Sequence, residues 1–229
     1  MDSSVVIEFL FTFLSTLPYL SQLKKLYDSN SYDGFHIATP LITLASLGLR
    51  LTWWAREHYQ MYLFIQAAML STINLLIVYK IAKINKEQKI PTRSFLYNKQ
   101  IYYTRDFVIF SLVNTLLSYF ISSPIYSSAI GYAGLILEAF MLFPQVMIVL
   151  RSPAESGLSI FTVLGWFAGD LCKLTLFVNT DAPPPFILCA ALQVLWDSLV
   201  FGIPFARKVF PPLDILLRRV FKYEPQSLV

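Results

Sequence analysis

Charge is scarce in this chain. Only 14% of its 229 residues are Asp, Glu, Lys or Arg, against 56% hydrophobic and 16% aromatic, whereas a soluble domain carries about 25% charged residues. A water-soluble globular fold is excluded. Cysteine and histidine number two each. Cys172 and Cys189 both fall in apolar stretches and read as small buried hydrophobes rather than a disulfide or a metal site. His36 and His58 sit at loop ends, where exposed imidazoles are expected. The sequence holds no Walker motif, HExxH, GxSxG or kinase signature, so hydrolytic and ATP-driven chemistry has no support. Neither a cofactor nor a metal is implied, and the chain reads as non-enzymatic. The first apolar run lacks a basic n-region and a small-residue cleavage pattern, so it reads as a retained helix rather than a signal peptide.

What is present is apolar length. Runs long enough to cross a bilayer fall at about 5–27, 34–55, 58–80, 105–123, 128–150, 157–179 and 184–206. Seven membrane helices are therefore expected, separated by turns rich in Gly, Pro, Asn and Ser. One connection is long and basic, with Lys80, Lys83, Lys86, Lys89, Arg93, Lys99 and Arg105 against Glu87 and Asp106. Under the positive-inside rule this linker faces the cytosol, which puts the N-terminus in the lumen and the C-terminus in the cytosol. The net charge of +4 follows from that bias and needs no nucleic-acid partner. A cytosolic protein partner is a further reading of the linker. After the last span, PPLDILLRRVFKY predicts a short amphipathic helix in the membrane interface.

The chain matches itself at one offset. Gln22 pairs with Gln145, Gly34 with Gly157, Thr39 with Thr162, Arg50 with Lys173 and Asn74 with Asp197, each pair 123 positions apart. An offset that crosses four helices keeps both copies in one orientation, which predicts three helices, a linker helix and three more. The implied units are residues 1–83, a linker over 84–126, a second unit over 127–208 and a tail over 209–229.

Against this apolar background the misplaced polar residues stand out, because a charge at bilayer depth costs at least ~2.5–3.5 kcal/mol. Glu138, Asp170, Lys173, Gln193 and Asp197 all lie within predicted spans of the second unit, and Arg50 lies within the first. Asp170 and Lys173 are one turn apart, so they share a face, as do Gln193 and Asp197. One or two cations against three carboxylates leave a protonated carboxyl or a hydrated site as alternatives. Pro144 lacks an N–H and is expected to kink its helix near Phe140, freeing a carbonyl that Gln145 could bond. Pro18, one turn before Ser21-Gln22, is the corresponding hinge candidate in the first unit. A structural salt-bridge network and a transport path are both compatible with these residues. Asn74 and Asn114 read as interhelical hydrogen-bonding residues and Gly131 and Gly134 as close-packing sites. Trp53 and Trp54 read as part of an aromatic belt.

The segments SQLKKLYDSNSYDGF and PQVMIVLRSPAESGLS resemble the two signature segments of the PQ-loop family, with Ser21 in the first copy where the proline of the Pro-Gln pair belongs. GLRLTWW, GLSIFTVLGWFAGDLCK and CAALQVLWD are similar to the PQ-loop repeat-containing protein 1 subfamily, grouped with solute carrier family 66. The resemblance implies an all-α polytopic membrane protein with seven helices in a 3+1+3 parallel repeat, a plan shared with the SWEET transporters. It also implies a Golgi or endosomal membrane and a link to phospholipid scrambling. The expected function is ATP-independent movement of phospholipid headgroups along a polar path of Glu138, Asp170, Lys173, Gln193, Asp197 and Arg50. The alternative is a proton-coupled exporter of a small solute such as an amino acid.

Overall fold

The computed structural model describes residues 12–13, 15–32, 35–58, 61–88, 100–121, 123–151, 160–179 and 184–221. The expected start of the first span, linker cations Lys89, Arg93 and Lys99, signature glycines Gly34 and Gly157, and the tail beyond Phe221 lie outside these residues. Every regular element among them is helical: α1 (Leu17–Ser29), α2 (Ala38–Glu57), α3 (Met61–Gln88), α4 (Gln100–Phe120), α5 (Pro124–Ala139), α6 (Phe143–Arg151), α7 (Ile160–Asn179), α8 (Pro184–Val209) and α9 (Pro211–Val220).

Local chemistry sets several of these boundaries. Proline opens α1, α5 and α9 within the first turn, where its missing N–H is no loss. Asn30 and His58 end α1 and α2 in the left-handed region, and the His58 N–H closes the last turn on the Trp54 carbonyl at 2.8 Å.

The described surface is rich in large apolar side chains, while polar groups are buried among the apolar residues of the core. Ile125, Phe120, Phe161 and Phe205 point outward, while Gln22, Thr52, Gln145, Thr162, Gln193 and Asp197 are almost fully buried. A surface of that kind matches hydrocarbon, and several interior hydroxyls are satisfied within their own helix, as Thr52 and Ser71 donate to the carbonyls of Gly48 and Ala67. Three helical stretches among the described residues are long and apolar enough to cross a membrane: Met61–Glu87, Pro124–Arg151 and Ile187–Val209. The chain is an integral membrane protein.

The helices before and after α4 pack against each other most extensively in two places. In the first, α1 lies on α7, where the Thr162 hydroxyl donates to the Pro18 carbonyl at 2.9 Å and Tyr19 meets Trp166 edge to face at 5.6 Å. In the second, α2 lies on α5. Glycine makes that approach possible: a Cβ at Gly131 would lie 2.8 Å from the Trp53 ring, and the Ser46 hydroxyl donates to the Gly134 carbonyl at 2.9 Å. Trp53 is thus a packing residue of this interface. Helix α4 sits at the edge against α2 and α3, with Leu112, Leu116 and Tyr119 exposed.

Candidate functional site: a charged network between the two halves

Pro144 shapes the site. The helix that begins at Pro124 stops at Ala139 and resumes at Phe143, because Pro144 offers no N–H to the carbonyl of Phe140. That carbonyl is not left open: the Phe143 N–H reaches it at 3.1 Å. The Glu138 carbonyl is served by the Met141 N–H at 3.3 Å and by Gln193 Nε2 from α8 at 3.2 Å. The kink therefore stands where the sequence puts it, but Gln145 does not repair it. Fully buried, Gln145 reaches out of its helix, and its Oε1 accepts the backbone N–H of His36 at 3.1 Å. This ties α6 to the turn before α2. Pro18 is buried at the start of α1, and a Cβ at Gly165 of α7 would stand 2.6 Å from its Cγ.

Glu138 lies at the last turn of α5 and is the hub of the site. Its Oε1 accepts from Lys173 Nζ at 2.7 Å and its Oε2 from Arg50 Nη1 at 3.4 Å. Lys173 also donates to Gln193 Oε1 at 2.8 Å and stands 3.6 Å from Asp170 Oδ1. Asp170 and Asp197 bring their carboxyl groups within hydrogen-bonding reach of each other. The six sequence-predicted path residues are thus brought into one network spanning α2, α5, α7 and α8. It does not close on itself. The side chains of Arg50, Glu138, Asp170 and Lys173 keep 13–18% exposure, whereas Asp197 is fully buried and Gln193 is 2% exposed.

Two members were absent from the sequence reading. Arg50 Nη2 donates to Gln66 Oε1 at 3.3 Å, and Gln66 Nε2 donates to Ser15 Oγ at 2.9 Å. The repeat carried a signal for one of them, since Ser15 stands 123 positions before Glu138. Other expectations need correction. Asn74 and Asn114 donate to the carbonyls of Leu70 and Phe110 in their own helices, so neither bridges helices through its Nδ2. Cys172 is exposed and Cys189 half-buried, because α7 turns Cys172 away from the Lys173 side. His36 is half-buried rather than exposed, with its Nδ1 accepting the Ala38 N–H at 3.1 Å.

The kinked α5–α6 unit with its Pro-Gln pair and α7, which carries Asp170 and Lys173, follow one another in the chain. Residues 126–186 match the PQ loop repeat family. The PQ-loop match takes in Glu138, Pro144, Gln145, Asp170 and Lys173, and leaves Arg50, Gln193 and Asp197 outside it. One curated relative, Scramblase ANY1 of Saccharomyces cerevisiae, is 26% identical over 108 residues, covering 43% of this chain and 27% of that protein. The similarity thus spans little more than a quarter of the yeast protein. No solved structure matches the chain.

Proposed function

We propose that this protein is an ATP-independent phospholipid scramblase. The observation that carries the reading is a charged network, inside a helix bundle with an apolar surface, whose four ionisable side chains Arg50, Glu138, Asp170 and Lys173 remain 13–18% exposed. A headgroup crossing hydrocarbon alone loses its hydration, and each unpaired charge adds at least ~2.5–3.5 kcal/mol. Groups of both signs offset that cost for a headgroup of both signs. Phosphate turns to Arg50, whose contacts at 3.3 and 3.4 Å are longer than the 2.7–2.9 Å of a tight charge-assisted bond. An ammonium turns to the partly exposed Asp170, while the acyl chains stay in lipid. Likeness to a yeast scramblase supports the same reading.

The finer assignments belong to this proposal as well. They are membership of the PQ-loop repeat-containing protein 1 subfamily, residence in Golgi or endosomal membranes, a lumenal N-terminus and a cytosolic C-terminus. They also include two related units over 1–83 and 127–208 joined by the linker over 84–126, with Pro18 and Pro144 as hinges. A proton-coupled solute exporter requires a central site closed to lipid, and the residual exposure of the network favours the lipid path.

Vesicles reconstituted with the purified protein and a fluorescent phosphatidylcholine test this. An impermeant reductant should bleach well past half of the signal in protein-containing vesicles and stop at half in empty ones. Protection of half the signal in both would overturn the proposal.

A further inference from the structure

The carboxyl pair of Asp170 and Asp197 is not explained by the network around it. Glu138 takes both nearby cations, Lys173 at 2.7 Å and Arg50 at 3.4 Å. Lys173 gives Asp170 only a 3.6 Å contact to Oδ1. Asp170 Oδ2 and both oxygens of Asp197 are buried and receive no N–H or O–H among the described residues. Asp197 is fully buried, on α8, and its carboxyl faces that of Asp170 on α7. Three buried acceptor atoms of two interacting carboxyl groups thus lack a donor, in a place where adjacent negative charges repel.

The surroundings supply no missing charge. Lys173 from α7 and Glu138 from α5 act electrostatically on this pair, and the charges of the network act in turn on Tyr19 of α1 and Cys189 of α8. Tyr19 turns its hydroxyl to Met141 Sδ at 3.6 Å. Arg50 is committed to Glu138 and Gln66. One unit of positive charge between the two carboxyl groups would offset their repulsion: a shared proton joins two of the three orphaned oxygens, and an alkali ion can contact all three.

We propose that Asp170 and Asp197 form a binding site for one monovalent cation, either a proton or a small alkali ion such as Na⁺, held between α7 and α8. A shared proton makes one carboxyl a donor to the other. An alkali ion is coordinated by oxygens of both. In either form the cation fastens α7 to α8 behind the network that Glu138 centres, and its release leaves two repelling carboxylates that push those helices apart.

Thermal unfolding of the purified full chain in detergent tests this without reference to lipid movement, so the result stands apart from the scramblase assay. Wild-type protein is melted across a Na⁺ series at constant ionic strength, with N-methylglucamine as the replacement ion, and separately across a pH series without Na⁺. A ligand held only by the folded state raises Tm by roughly 3–5 °C when it reaches about ten times its Kd. Response to Na⁺ at fixed pH identifies the alkali ion, and a rise on acidification alone identifies the proton. The variants Asp197→Asn and Asp170→Asn each place an amide donor against the remaining carboxylate, so each should fold and lose the cation response. Proton effects from other groups cancel in the difference between wild type and variant. Wild-type melting that responds to neither cation relative to the variants, or variants that keep the full wild-type response, would overturn the proposal.

Discussion

Arg50 Nη1 lies 3.4 Å from Glu138 Oε2, and among the described ion pairs it alone joins the helices before α4 to those after it. Lys173 holds the other oxygen of the same carboxylate at 2.7 Å. The two cations therefore have different tasks. Lys173, held short by Glu138 and Gln193, braces α5, α7 and α8 against one another. Under the proposed function, Arg50 is the cation that meets a passing phosphate.

Substitution should separate those tasks. Lys173→Met leaves Glu138 and Asp170 without their closest cation and should destabilise the protein by about 3 kcal/mol, within the range for breaking a buried pair. Arg50→Gln keeps a donor to Glu138, so it should cost less than half of that in stability and slow lipid exchange more than its stability loss accounts for. Thermal melts and exchange rates on both variants provide the comparison. Equal stability losses with unaltered exchange in Arg50→Gln would remove Arg50 from the path.

The two glycines of α7 should respond in opposite directions. A Cβ at Gly165 would press to 2.6 Å from Pro18 Cγ, whereas at Gly169 nothing stands within 4 Å. Gly165→Ala should therefore destabilise by about 1–3 kcal/mol through overpacking. Gly169→Ala should be neutral or stabilise by roughly 0.5–1 kcal/mol through helix propensity. Melting of the two variants under one condition checks the contrast, and it also checks that α1 packs on α7 through Pro18.

At the break between α5 and α6, Gln193→Leu removes the donor to the Glu138 carbonyl and the acceptor for Lys173 together. Leaving buried polar groups unpaired costs about 1–3 kcal/mol each. A double-mutant cycle between Gln193→Leu and Lys173→Met should show coupling of about 0.5–3 kcal/mol. Additive losses would mean that the two side chains do not act as one unit.

His36 makes acid destabilising. Burial in the turn before α2 lowers its pKa from the ordinary 6.5, so the unfolded chain binds that proton more readily and stability rises with pH. The contribution is complete above the ordinary value and is lost as pH falls below it. In His36→Gln, the fall in Tm between about pH 7.5 and pH 5.5 should be smaller than in the wild type.

Much of the site was legible in the sequence for one reason: a polar group in a membrane span is expensive, so Glu138, Asp170, Lys173, Gln193 and Asp197 mark themselves. Pro144 marked the kink equally well, since a missing N–H is a property of the residue. Spacing along one helix cannot say which other helix faces it, and the Arg50–Glu138 contact therefore needed the packing of α2 on α5. Gln66 carried no mark in the sequence, and Ser15 only its place opposite Glu138 in the repeat, because neutral polar residues are common in membrane helices and carry no comparable cost. Gln145 was assigned to its own kink, yet the Phe143 N–H already occupied that carbonyl, and the buried amide turned to His36 instead.

The central claim is that this network carries headgroups across the bilayer. It is tested most directly by the initial rate of phosphatidylcholine exchange between leaflets in vesicles holding either wild-type protein or the Arg50→Gln variant at equal, verified density of folded protein. The account predicts rapid exchange in wild-type vesicles and a rate at least about tenfold lower in the variant, equivalent to about 1.4 kcal/mol of barrier. Equal rates in the two, or bleaching that stops at half of the signal in both, would contradict it.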